Sequence, residues 1–157
     1  MLSATTHRKA EKVDDLHQKH EIKRLAAEAP GGFFLGADSG AKGDSEWHAA
    51  KVFFANTTGL IIVSLLLAVT VLPDTRGATY AADLLATLVA AGLDPQRLLG
   101  VASDTAASMT GVLHGAVEQL RQSSNNPLIV ALHCWAHIID LCVRAGVLSS
   151  TGKADRL

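Results

Sequence analysis

Gly31-Gly32-Phe33-Phe34-Leu35-Gly36-Ala37-Asp38 is an apolar run that stops at a carboxylate, and Leu98-Leu99-Gly100-Val101-Ala102-Ser103-Asp104 repeats the pattern. Short apolar runs bounded by turn residues read as strands. If the two lie side by side, both carboxylates meet at one edge of a sheet. That is the minimal geometry for a divalent cation such as Mg²⁺. The order of the strands therefore decides what the chain can do.

The segments between the two runs supply that order. Strand one is expected over Gly32 to Asp38, followed by a polar turn from Ser39 to Glu46. Strand two covers His48 to Ala55, and Asn56-Thr57-Thr58-Gly59 has hairpin-turn chemistry. Strand three runs from Leu60 to about Val71, and its continuous leucine and β-branched content predicts burial on both faces. Pro73-Asp74 ends it. Ala78 to Ala91 places Tyr80, Leu84, Leu88 and Ala91 on one helical stripe, with Gly92 as the stop. Leu98 to Ser103 is strand four, and Thr105 to Gln122 a second helix, with a kink at Gly111 or Gly115. Leu128 to Leu132 is strand five, and Ala136 to Ala145 a third helix.

Short turns make strands one to three antiparallel, and right-handed crossovers lay strands four and five parallel beyond strand one. The predicted class is α/β, a mixed five-stranded sheet of order 3-2-1-4-5 with flanking helices. That order is ribonuclease H-like. It brings the C-terminal ends of strands one and four together, and with them Asp38 and Asp104.

Composition agrees with a folded core. The chain has 157 residues, 48% hydrophobic and 18% charged, enough for one domain. Its net charge of -1 argues against strong general affinity for nucleic acid, although a nuclease metal site is itself acidic. Cys134 and Cys142 make no disulfide framework. The N-terminus carries no apolar signal segment. Leu60 to Leu72 is too short to span a bilayer, which takes roughly 20 residues, so no membrane association is expected. Residues 1–31 read as a polar helical or linker segment, 32–147 as the core, and 148–157 as a disordered tail.

Two constellations carry chemistry. Asp38 and Asp104 would repel at close range, and a divalent ion relieves that while taking oxygen ligands. Each alone also suits a cap, Asp104 for the helix at Thr105 and Asp38 for the turn at Ser39-Gly40. The second constellation is His133-Cys134-Trp135-Ala136-His137. A structural zinc site needs four ligands and only Cys142 lies nearby, so no zinc is expected. Trp135 suits either base stacking or the core. Trp47 reads as a partly exposed hairpin residue, Met109 as core and His114 as surface. Ser108 has no base at a defined spacing, and the glycines match neither a dinucleotide fingerprint nor a P-loop.

Taken in order, these motifs resemble the hAT superfamily of DNA transposases. Ser103-Asp104-Thr105-Ala106-Ala107-Ser108-Met109-Thr110-Gly111 is similar to the family's second-aspartate motif. Cys134-Trp135-Ala136-His137-Ile138-Ile139-Asp140-Leu141 is similar to its Cys-x-x-His motif. The resemblance covers about residues 32–147, the front half of a transposase catalytic domain. It implies cut-and-paste chemistry by Asp, Asp and Glu around two Mg²⁺ or Mn²⁺ ions, with DNA transposon ends as partner, homo-oligomers allowed, and a nuclear location. Asp38 and Asp104 would be catalytic metal ligands; Cys134, Trp135 and His137 would form a DNA-contacting or structural wall. Thr105 and Ser108 replace residues that many members carry as Asn. No third acidic residue after His137 fits the family's Glu, since Asp140 lies on the helix and Asp155 in the tail. The expectation is a partial or degenerate core, with a domesticated, non-catalytic DNA- or protein-interaction module as the alternative.

Overall fold

The computed structural model describes residues 17–42, 45–55, 62–104, 106–134, 137–139 and 142–144. The expected hairpin turn at Asn56-Gly59, Trp135, residues 1–16 and the tail at 148–157 lie outside them. Five strands form one sheet: β1 (Phe33–Lys42), β2 (Ser45–Ala55), β3 (Ile62–Leu72), β4 (Leu98–Ser103) and β5 (Val130–His133). Their order is β3-β2-β1-β4-β5. β1 pairs antiparallel with β2 and parallel with β4, β2 antiparallel with β3, and β4 parallel with β5. The α/β class and the strand order expected from the sequence are those of the structure.

Helices cover one face of this sheet. They are α1 (17–28), α2 (Gly77–Ala90), α3 (Ala107–Thr110) and α4 (Ala116–Ser123). Alternation puts Phe33, Leu35 and Ala37 of β1 and His48, Ala50, Val52 and Phe54 of β2 beneath them. Tyr80, Ala81, Leu84 and Leu88 of α2 complete the core from above. α2 ends at Gly92, whose φ of 73° suits glycine. Leu93 N–H donates to Leu88 carbonyl at 2.9 Å and Gly92 N–H to Val89 at 3.0 Å, satisfying two end carbonyls.

Four expectations are corrected. Residues 17–28 are no bystander: α1 buries Ile22 and Leu25, with Ala29 just beyond, in the same core. Arg97 fastens its end by donating to the carbonyls of Ala26 and Ala29, at 3.1 and 2.6 Å. β3 is not buried on both faces. It is the edge strand, with Val63, Leu65 and Leu67 against the core and Ile62, Leu66, Val69 and Val71 exposed. Among the described residues, α1 and α2 lie over one side of it only. The helix expected from Thr105 to Gln122 breaks into α3 and α4, because the chain folds back on itself between Gly111 and Gly115. A Cβ on Gly115 would stand 2.4 Å from Gly111 N, so nothing larger fits that approach. Finally, β1 does not stop at Asp38 but runs on to Lys42, and Ser39 to Lys42 pair with β2 rather than forming a turn.

Among the described residues, α1 to α4 leave the other face of the sheet open, and of the third helix expected over 136–145 only 137–139 and 142–144 are described, both helical, with His137 reaching this face. Phe34, Trp47, Val130 and Leu132 share it with the exposed side chains of β3. Asp38, two residues along from Gly36, lies on this same face.

Candidate functional site

The register of β1 against β4 sets the site. Gly36 lies opposite Ala102 in the parallel pair, and Asp38 and Asp104 each follow by two residues. Two steps along neighbouring parallel strands return to the same face, so the carboxylates project to one side. Both line a single cleft of about 510 Å³, with Lys51, Phe53, Cys134 and His137 among its walls. Thus four of the five residues singled out in the sequence meet there, and the fifth, Trp135, lies outside the described residues.

Each wall has a local cause. Asp104 leaves β4 into a tight turn in which its Oδ1 accepts the Ala106 N–H at 3.1 Å. The turn aims the carboxylate and leaves its second oxygen for other partners. The helix cap expected of Asp104 is not formed: α3 begins at Ala107 with Ala106 at its N-cap and no side-chain cap bond, and the Asp104 contact is a local turn bond instead. The Asp38 carboxylate is exposed and has no hydrogen-bond or ion-pair partner among the described residues. Cys134 N–H donates to the Ser103 carbonyl at 2.8 Å, binding the end of β5 to β4. Ile138 N–H donates to the Cys134 carbonyl at 3.1 Å, and His137 beside it lines the cleft. His133, on β5, is exposed and outside the cleft.

The donor set suits a hard cation. Two carboxylates, with water or phosphate oxygens completing the sphere, are the usual protein share of a Mg²⁺ site. Among the described residues no three His, Cys, Asp or Glu side chains converge as a metal cage. Met109 is buried, and His114 and Trp47 are exposed, as the sequence indicated.

Two features were missed from sequence. Lys51 and Phe53 reach the cleft because they alternate with the buried residues of β2. The period-2 signal that found the strand also marked them, had the open face been known. The other is a polar layer beneath the helices. His48, 1% exposed, holds Asp83 Oδ2 through Nδ1 at 2.7 Å, and Thr70 Oγ1 donates to the same oxygen at 2.9 Å. His48 Nε2 is buried with no partner among the described residues. The Tyr80 ring meets His48 edge-on at 5.0 Å, and its hydroxyl donates to Glu46 Oε1 at 2.8 Å.

Burial is the largest influence on that hydroxyl. With the Glu46 and Asp104 carboxylates it holds the Tyr80 pKa above the ordinary tyrosine range, against a hydrogen bond from Ser39 that acts in the opposite sense. A raised pKa means that the fold prefers the protonated phenol. The stabilising contribution is therefore full below the unfolded value of about 10 and is lost as pH rises through the folded value. Tyr80 is the chain's one tyrosine. Its tyrosinate absorbance should titrate above the free-phenol range in the folded protein and revert on unfolding, and Tyr80→Phe should remove this component of alkaline destabilisation.

Among the described residues no helix is long and apolar enough to cross a membrane. No protein-family model matches the chain, and no curated protein matches it.

Proposed function

We propose that this chain is the front half of a hAT-like transposase catalytic core, ribonuclease H-like in fold, with Asp38 and Asp104 as ligands of Mg²⁺ or Mn²⁺. The single observation that carries the reading is the shared cleft. Strand order, two aspartates each two residues beyond the paired Gly36 and Ala102, and the Cys134/His137 pair meet in one cleft, as the resemblance requires. In the intact parent the partner would be DNA at transposon ends, and the location nuclear.

The chain's own residues would act by placement. Asp38 and Asp104 would fix the ion, and Asp104 is already oriented by its turn. The ion, when bound, supplies Lewis-acid stabilisation at a phosphodiester. Lys51 stands on the cleft wall as a counter-charge for phosphate oxygens, and Phe53 offers a flat apolar surface beside it. Two carboxylates underdetermine a two-metal site, so the described residues alone support weak ion binding and little cleavage.

Isothermal titration of Mn²⁺ tests this reading. Wild type should bind weakly, while Asp38→Asn and Asp104→Asn should each reduce the heat to that of dilution, with melting temperatures within a few degrees of wild type. Identical titrations for all three proteins would sink the proposal. The exposed apolar row on the open face favours a second reading, a non-catalytic module for protein or DNA contacts. A full set of partner contacts independent of Mn²⁺ and of both aspartates would select it.

A further inference from the structure

Phe34, Gly36 and Asp38 are successive outward positions of β1, on the face that carries the cleft. Two aromatic rings occupy the row that leads to the carboxylate. A Cβ on Gly36 would stand 2.8 Å from Phe53 Cε2 and 3.4 Å from its Cζ, so the far edge of the Phe53 ring reaches over β1 from β2. A Cβ on Gly100 would stand 3.1 Å from both Cδ1 and Cε1 of Phe34, so that ring in turn reaches over β4. Each ring leans across the neighbouring strand, into space that only glycine leaves free. Phe34 is 37% exposed and Phe53 half-buried.

Rings leaning on a sheet are stacking surfaces for flat π-systems, and nucleic-acid bases are the common biological case. A base inside a duplex has both faces covered by neighbours ~3.4 Å away, so only an unpaired base can offer one. Gly36 and Gly100, the positions the two rings cover, are diagonal neighbours, because Gly100 pairs with Phe34. One strand spacing and a two-residue advance put them about 8 Å apart. Two bases that far apart belong to an extended single strand. Lys51 pairs with Gly36 across β1 and β2 and is exposed, an ammonium placed beside the rings for a phosphate. Lysine is depleted at the centre of protein–protein interfaces, which favours nucleic acid over an apolar protein partner here. Asp38 lies one further two-residue step along β1, about 7 Å on.

We propose that the cleft takes single-stranded DNA: unpaired bases stack on Phe53 and Phe34, Lys51 pairs with a phosphate, and the backbone follows β1 toward Asp38 and Asp104. The far end of this path rests on the reading of Asp38 and Asp104 as ion ligands; the stacking end does not.

Fluorescence anisotropy of the whole chain tests it. The probe is a labelled thymidine homopolymer of about twelve nucleotides, inside the ~4–16 that one single-strand site covers, alone or paired with its complement, in Mn²⁺ and in EDTA. In EDTA the single strand should bind at least about tenfold more tightly than the duplex. Phe53→Leu and Phe34→Leu should each weaken it roughly tenfold, the usual worth of one base–aromatic stack, while Phe53→Tyr should stay near wild type. Lys51→Ala should lower the slope of log affinity against log salt by about 0.7, one phosphate contact on a single strand. Duplex binding as tight as that of the single strand would overturn the inference, as would unchanged affinity in either leucine variant. Equal losses in Phe53→Leu and Phe53→Tyr would also overturn it, since the face of the ring would then not be what binds. Mn²⁺ reads the other end separately: it should tighten single-strand binding in wild type and not in Asp38→Asn. If Mn²⁺ changes nothing in wild type, the proposed function fails, and the EDTA comparison decides the stacking by itself.

Discussion

Gly77→Ala is expected to destabilise the fold by about 3 kcal/mol, at the upper end of overpacking costs. Gly77 is the first residue of α2 and is buried. A Cβ built there would stand 2.0 Å from the His114 carbonyl oxygen, 2.8 Å from that of Ser108 and 2.9 Å from Ala116 N. All three atoms are backbone, so no side chain can swing aside. Relief requires α2 to part from the α3–α4 connection, and with it the burial of Ala116, Val117 and Leu120. The intrinsic helix preference for alanine, worth about 1 kcal/mol, pulls the other way and is too small to compensate. Urea unfolding measures the effect. Gly40→Ala is the control, because its Cβ meets nothing within 4 Å, and it should be neutral or stabilising by up to about 1 kcal/mol. Equal midpoints for the two variants would refute the packing argument.

Asp83→Ala should cost a similar amount, about 3 kcal/mol, for a different reason. The carboxylate is the partner of both His48 Nδ1 and Thr70 Oγ1. His48 is already buried with Nε2 unpaired, so removing Asp83 leaves an imidazole with no partner on either nitrogen. A buried donor stripped of its partner costs about 1–3 kcal/mol, and the Thr70 hydroxyl loses its acceptor as well. Replacing both members by apolar residues avoids that penalty. The double variant Asp83→Leu/His48→Phe should therefore recover most of the loss in the same urea assay. A double variant as unstable as the sum of the singles would show that the pair is needed for its shape rather than its hydrogen bonds.

What the sequence made legible, and what it did not, follows from where each signal lives. Strand order came from local turns and chain direction, which a single sequence records well, and that order alone predicted the meeting of Asp38 with Asp104. β4 was bounded correctly because Pro95 and Asp104 punctuate it sharply. β3 was misread because an unbroken apolar run looks the same whether one face is covered or two. Its edge position was implicit in the predicted order. The buried face of α1 was overlooked because Ile22, Leu25 and Ala29 are few among charged neighbours, although their spacing of three and four is helical. The Tyr80–Glu46 hydrogen bond had no sequence signature at all. Glu46 and Tyr80 are 34 residues apart, and only the packing of α2 on β2 brings them together.

The pairing pattern of the sheet also imposes an order in time. β1, β2 and β3 meet their partners across short connections, such as Lys42 with Ser45. β1 meets β4 only across the whole stretch from Phe33 to Leu98. Contacts that close short loops form before those that close long ones. As the chain leaves the ribosome, the meander with Asp38 can assemble while Asp104 is still to be synthesised. The two aspartates come together only after α2 has crossed the sheet and β4 has docked. The cleft is thus the last part of the sheet's first four strands to mature, and in a nascent chain the two aspartates share no cleft until that docking is complete.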